Sequence, residues 1–247
     1  MCLAVSRCEF PAAKDSVYHV GMTKIACEGI LFDLDGVLVD STPAVARVWS
    51  WWAKQNGFDP EDTVRRAHGR PSISIIRELL PNADHEAQNR EVERREIEDV
   101  EGVVPLPGAL ELLQTLQLDR WAIVTSCTRK LAFVRIRAAG LPDPKFIVTS
   151  TEITKGKPDP EPYLKGAQAL SFSPQACIVI EDAPAGIRSG KSAGAQVIAL
   201  QTTESDELLR AAGANFIVKD CSAIRLGKTD ANSLLSLELN NIQAAFR

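Results

Sequence analysis

Two aspartates one residue apart, Asp33 and Asp35, follow directly on the apolar run Gly29-Ile30-Leu31-Phe32 and precede Gly36-Val37-Leu38-Val39-Asp40-Ser41. Ionised carboxylates at the edge of an apolar interior are costly unless a cation or hydrogen-bond donors compensate them. A divalent metal ion, which takes oxygen ligands, supplies that compensation. A calcium loop also begins D-x-D, but it would need further oxygen ligands where Val37, Leu38 and Val39 stand, so that reading fails. A plain Asp/Gly turn accounts for the glycine and leaves the two carboxylates unexplained. By itself the pair supports an acidic, metal-binding loop.

Distant residues add to it. Thr125-Ser126 ends the run WAIVTS, where a hydroxyl and backbone N–H groups can hold a phosphate oxygen. Lys157, within Lys155-Gly156-Lys157-Pro158-Asp159-Pro160, offers a point charge to a phosphate or to the first carboxylate. Glu181-Asp182 closes ACIVIED before Ala183-Pro184-Ala185-Gly186 and contributes more acidic oxygens. Singly, a strand-end threonine or a surface lysine carries no message. Together these residues describe a phosphoryl-transfer site.

The elements that must position them are legible as a pattern. GILFD, WAIVTS (121–126), KFIVTS (145–150), ACIVIED (176–182) and AQVIAL (195–200) are short apolar runs separated by helix-length segments. That alternation predicts an α/β fold, a Rossmann-like doubly wound parallel sheet with ligand sites beyond the strand carboxyl ends. NFIV (215–218) predicts one more edge strand. Between Thr42 and Pro107 no strand-like run occurs. Val45, Val48, Trp49 and Trp52 instead fall at i, i+3, i+4, i+7, with Gly57 as a stop. Further helices are expected over 60–67, 72–80 and 84–101, making an inserted four-helix cap that folds over the crevice. The tryptophans near its start read as core of the insertion, and the last helix, rich in Glu and Arg, as a solvated face. The expected organisation is an N-terminal extension (1–23), a core (24–42 and 107–225), a cap (43–106) and a C-terminal tail (226–247). The tail carries a weak helical pattern in LLSLELNNIQAAF.

With 247 residues, 45% of them hydrophobic, the chain can bury one large core with an insertion. A net charge of −4 disfavours nucleic acid and anionic membranes as partners, since both need clustered Lys and Arg. The six cysteines form no CxxC pair and no zinc-type spacing with the histidines, so they read as free thiols in a reducing compartment. Cys27 and Cys177 are expected to be buried. No apolar run reaches the length of a membrane span, and MCLAVSRC lacks the features of a signal peptide. A cytoplasmic monomer or weak dimer is expected.

DLDGVLVDS, IVTS, KGKPDPEPYL and IVIEDAPAG resemble, in order, spacing and strand context, the four motifs of the haloacid dehalogenase superfamily, over about residues 26–225. The resemblance implies a Mg²⁺-dependent phosphomonoester hydrolase. Asp33 would attack phosphorus to give an aspartyl-phosphate, and Asp35 would act as general acid and then base. Thr125 and the Ser126 backbone would bind phosphate, and Lys157 would neutralise nucleophile and phosphate. Asp33, Asp35, Glu181 and Asp182 would make the metal site. Mg²⁺ and Lys157 would offset phosphate charge so that an anionic carboxylate can approach an anionic ester in line. Dehalogenation is disfavoured, because the dehalogenases so resembled lack the second aspartate and need no Mg²⁺.

The insertion's place resembles the small helical cap of the subfamily holding β-phosphoglucomutase, phosphoglycolate phosphatase and the bacterial and yeast sugar or polyol phosphatases. Such caps close over substrate and exclude water. His68-Gly69-Arg70-Pro71-Ser72 is the cap segment expected to meet it: Gly69 permits close approach, and His68 and Arg70 offer donors. The alternative is a helix-ending His-Gly with a solvated Arg. AHGR, EGVVPLPGALELL and WAIVTSCTR look most like the sugar and polyol phosphatases, including those of 2-deoxyglucose 6-phosphate and glycerol phosphate. β-Phosphoglucomutases carry a His where Val45 stands, which favours water over a second sugar hydroxyl as acceptor. Glu161 replaces the more usual Asp, a departure that touches the fine geometry. The expectation is therefore a phosphatase of small sugar or polyol phosphates. A phosphosugar mutase and a phosphoglycolate-type hydrolase are the enzymatic alternatives. A non-catalytic binding protein is opposed by the complete motif set.

Overall fold

The computed structural model describes residues 22–67, 70–227 and 234–240. The chain begins with β1 (Met22–Cys27) and β2 (Gly29–Phe32), and β3 (Val39–Asp40) leads outward. Four helices follow: α1 (Thr42–Asn56), α2 (Pro60–Ala67), α3 (Ser72–Leu79) and α4 (His85–Glu98). After β4 (Val104–Pro105) helices and strands alternate, as α5 (Ala109–Thr115), β5 (Trp121–Val124), α6 (Arg129–Ala138), β6 (Ile147–Val148) and α7 (Glu161–Leu170). Next come β7 (Cys177–Glu181), α8 (Pro184–Ser192), β8 (Gln196–Leu200), α9 (Asp206–Ala211) and β9 (Phe216–Val218). β10 (Ile224–Leu226) and β11 (Leu235–Asn240) complete the described elements.

Six strands form a parallel sheet in the order β6-β5-β2-β7-β8-β9. The chain builds outward from β2 through β5 to β6, then crosses to β7 on the other side. The order therefore reverses beside β2, and the loops leaving β2, β5 and β7 part there to leave a crevice. The central strands can be apolar throughout because helices cover both faces. On β2, Ile30 and Phe32 join a core that includes Ile123, Ile136, Ile180 and Leu237, whereas Leu31 joins Val124, Tyr163, Val179 and Ile187. Doubly wound α/β architecture is thus realised as the alternation of runs predicts.

The insertion has a core of its own, with Val48, Trp49, Trp52, Ile75, Ile76 and Val92 buried together. Trp49 packs edge-on to Trp52, and Trp52 stacks on Phe58 at 5.8 Å. Trp51 is only half-buried and carries the Arg95 guanidinium 3.4 Å over its ring. Gly57 stops α1 with φ of 75°, and Asp84 caps α4 by accepting from the Ala87 N–H at 3.0 Å.

Two local expectations are corrected. The stretch between Thr42 and Pro107 does contain a strand: Val104 and Pro105 pair antiparallel with Asp40 and Val39, clasping the two crossings into the insertion. Two residues are too few to carry a period. In the tail, Leu235–Asn240 is a strand and not a helix, antiparallel to both β1 and β10. Leu235, Leu237 and Leu239 are buried while Ser236, Glu238 and Asn240 are not, a period of two that decides for the strand. β1 begins at Met22, two residues before the expected start at Lys24; residues 1–21 and 241–247 lie outside the described residues. Among the described residues no helix is long and apolar enough to cross a membrane.

Candidate active site

Asp33 is the first residue beyond β2, and its N–H donates to the Ile180 carbonyl of β7 at 2.9 Å, so the sheet ladder itself delivers it to the crevice. Lys157 comes from the loop between β6 and α7. Its Nζ donates to Asp33 Oδ1 at 2.8 Å and to Glu181 Oε1 at 2.7 Å. Glu161, at the start of α7, fastens that loop by accepting from the N–H groups of Thr154 (2.9 Å) and Lys155 (2.7 Å). The longer side chain at this position thus has a defined task.

Glu181 is 1% exposed and fully committed. Its Oε1 accepts from Lys157 and, at 2.8 Å, from the Tyr163 hydroxyl; its Oε2 accepts from the N–H groups of Asp182 (2.9 Å) and Ala183 (3.1 Å). Asp182 Oδ2 accepts from the Thr203 hydroxyl at 2.6 Å. Two glycines leave room for these carboxylates. A Cβ on Gly186 would lie 1.6 Å from Glu181 Oε1, and one on Gly36, whose φ is +80°, would lie 2.0 Å from Asp182 Oδ2.

Asp33, Glu181 and Asp182 bring an oxygen each to within 4.8 Å of one another. Burial raises the Asp33 pKa to about 7, with Lys157 pulling the other way. Burial also raises that of Asp182 well above the usual carboxylate range, and Glu181 and Asp33 add to it. For Lys157, burial opposes the charge but Asp33 and Glu181 outweigh it, so its pKa is raised. Three crowded carboxylates against one ammonium form an oxygen-rich, electronegative cluster, which suits a hard divalent cation.

The other sequence-predicted residues are placed as follows. Asp35 shares the crevice but not the trio: its Oδ1 accepts from Ser41 Oγ (2.6 Å), and its Oδ2 from Cys127 Sγ (3.1 Å) and Arg135 Nη1 (2.9 Å). Thr125 is buried at the end of β5, its N–H donating to the Val148 carbonyl at 2.9 Å and its hydroxyl accepting from the Cys127 N–H at 3.1 Å. Ser126 lines the crevice. Arg70 lines its cap side, with its guanidinium donating to Glu78 at 2.8 Å. His68 and Gly69 lie outside the described residues.

The cap side of the crevice also presents Val45, Ser72, Asn89 and Glu93. Ser72 donates to Asn89 Oδ1 at 2.6 Å, and Glu93 accepts from the hydroxyl of Thr128, which caps α6 in the core. Sequence reasoning missed Asn89, Glu93, Glu96, Tyr163 and Arg135. For Arg135 one signal exists, since it falls four residues after Leu131 on the buried stripe of α6.

The haloacid dehalogenase-like hydrolase family model matches residues 30–200. The chain belongs to the haloacid dehalogenase-like hydrolases. Within that family it is 46% identical over 179 residues to hexitol phosphatase A of Escherichia coli, covering 70% of this chain and 83% of that protein. It is 35% identical over 215 residues to glycerol-1-phosphate phosphohydrolase 2 of Saccharomyces cerevisiae, covering 82% and 86%. A hydrolase from Pseudomonas syringae superposes with a TM-score of 0.72 at 26% identity, over 79% of this chain and 94% of that one. The matched span of this haloacid dehalogenase-like hydrolase runs from β2 to β8 and takes in Asp33, Asp35, Lys157, Glu181 and Asp182.

Proposed function

We propose that this hydrolase cleaves phosphomonoesters of small sugars or polyols through an aspartyl-phosphate on Asp33. The observation that carries the reading is the position of Lys157 Nζ between Asp33 and Glu181, with Asp182 beside them. Asp33 attacks phosphorus, the ester P–O bond breaks, and Asp35 gives its proton to the departing alkoxide. A water then attacks phosphorus, the Asp33–phosphorus linkage breaks, and Asp35 takes the water's proton. Thr125, Ser126 and Lys157 hold the phosphate oxygens. Of the three clustered carboxylates, Asp33 and Asp182 would hold the metal, Mg²⁺ being the ion proposed, and it would supply charge neutralisation on the phosphoryl group. Glu181, whose oxygens already have four donors, orients Lys157.

The leaving group is read from the cap. Asn89 and Glu93 are acceptor-bearing side chains suited to hydroxyl groups, and the guanidinium of Arg70 is paired with Glu78. That composition supports a neutral, hydroxylated alcohol over a carboxylate such as glycolate. The relatives named as hexitol and glycerol-1-phosphate phosphatases support the same class. Val45 lines the crevice with no proton-accepting group, which supports water as acceptor over a second sugar hydroxyl.

The test is phosphate release from hexitol, deoxyhexose, pentitol and glycerol phosphates with Mg²⁺, for the wild type and Asp33→Asn. Release from at least one polyol ester, lost in the variant, is expected. Full turnover in Asp33→Asn refutes the covalent assignment, and interconversion of hexose 1- and 6-phosphates faster than phosphate release establishes a mutase.

A further inference from the structure

A guanidinium in a protein interior is unfavourable unless its charge and donors are met. Arg135 on α6 is 5% exposed. Its Nη1 donates to Asp35 Oδ2 at 2.9 Å and contacts Cys127 Sγ at 3.1 Å, and its Nη2 lies 3.5 Å from Glu96 Oε1. Asp35 is on the core loop after β2. Glu96 is on α4 of the insertion and is itself 8% exposed. One rigid fork therefore joins a core carboxylate to a cap carboxylate.

The contact constrains Asp35. With Oδ1 accepting from Ser41 and Oδ2 accepting from Cys127 and Arg135, both oxygens are engaged as acceptors, the arrangement of a base. Of these three donors Arg135 alone is charged, and it fixes how the Asp35 carboxyl group is turned toward the crevice. Glu96, on α4 of the insertion, lies on the other arm of the same guanidinium and helps hold it in place.

We propose that Arg135 is the positioning residue for Asp35, and that Glu96, reaching the same guanidinium from the cap, steadies it so that Asp35 faces the leaving group. The proposal rests on the acid/base reading of Asp35.

The experiment compares kcat/KM for a polyol phosphate, whose alkoxide needs a proton to depart, with that for p-nitrophenyl phosphate, whose leaving group does not. Asp35→Asn, Arg135→Met, Arg135→Lys and Glu96→Gln are assayed beside the wild type, with thermal melting as a fold control. Arg135→Met is expected to lower kcat/KM for the polyol ester by roughly 10- to 100-fold, a part of what a positioned acid supplies, and that for p-nitrophenyl phosphate by less than about threefold. Arg135→Lys, which keeps a charge but not the fork, is expected to recover part of the loss. Glu96→Gln is expected to lower the polyol value roughly three- to tenfold, and to add nothing in the Arg135→Met background. Equal losses on both esters, or none, overturn the proposal; so does an additive double variant. If Asp35→Asn itself fails to separate the two esters, the acid/base reading has failed; if it separates them and Arg135→Met does not, only the proposal has.

Discussion

Lys157 and Glu181 form a buried ion pair 2.7 Å long, with side chains 5% and 1% exposed, and the same ammonium reaches Asp33. Glu181 balances the lysine and fixes where it points, since Tyr163 and two backbone N–H groups hold the carboxylate from the other side. Glu181→Gln removes the charge and keeps the size. It is expected to destabilise the fold by about 1–3 kcal/mol, and to lower kcat roughly 10- to 100-fold with a smaller change in KM, as for a group acting on transition-state charge. Denaturant melts and steady-state kinetics read both. An unchanged kcat would show that Lys157 does not need this partner.

Gly186→Ala and Gly36→Ala should each abolish most activity, because the new methyl group would occupy space held by Glu181 or Asp182. Gly57→Ala is the control. Gly57 also has positive φ, at +75°, but no atom lies within 4 Å of its missing Cβ, so a stability loss of about 1 kcal/mol with normal kcat is expected. If Gly57→Ala loses as much activity as Gly36→Ala, the effect at Gly36 is backbone strain and not displacement of a carboxylate; Gly186, in α8 without a positive φ, is free of that strain.

The crowded carboxylates predict a pH-dependent stability in the metal-free protein. Asp33 keeps its proton to a pKa of about 7 when folded, against an ordinary value of 3.8. The folded state therefore binds more protons between those values. Its contribution is complete below about pH 4 and is lost as pH rises through about 7, at most about 4 kcal/mol. Asp33→Asn has no such loss. In EDTA its melting temperature should gain several degrees on the wild type between pH 5 and pH 8, and Mg²⁺ should close the gap. A difference that stays constant with pH sinks the prediction.

Glu93 sets a charge against anionic leaving groups from the cap side of the crevice. Glu93→Gln is expected to raise kcat/KM for phosphoglycolate relative to glycerol phosphate roughly fivefold, the scale of one partly screened charge removed. The ratio of the two values is the measurement, and a ratio equal to the wild type's removes Glu93 from specificity.

What the amino-acid order determined by itself is whatever rests on local pattern. Short apolar runs between helix-length segments define a parallel sheet, because strands buried on both faces carry no polar alternation. Placing acidic residues at the ends of such runs puts them at one edge of that sheet, so Asp33, Lys157, Glu181 and Asp182 could be named together before their distances were known. The helices of the insertion were legible for the same reason, their 3.6-residue period being internal to each segment.

The tertiary structure decided everything that depends on a partner remote in sequence. Leu235–Asn240 becomes a strand because β1 and β10 lie beside it, an influence no local window contains. Asp35 looks equivalent to Asp33 in the sequence, yet only one of the two meets Lys157; the other meets Arg135, 100 residues away. Asn89, Glu93 and Glu96 belong to a helix that reads as solvated. Packing of that helix across the crevice turns part of its charged face toward the core, and the desolvation it imposes gives Glu96 and Arg135 reason to pair.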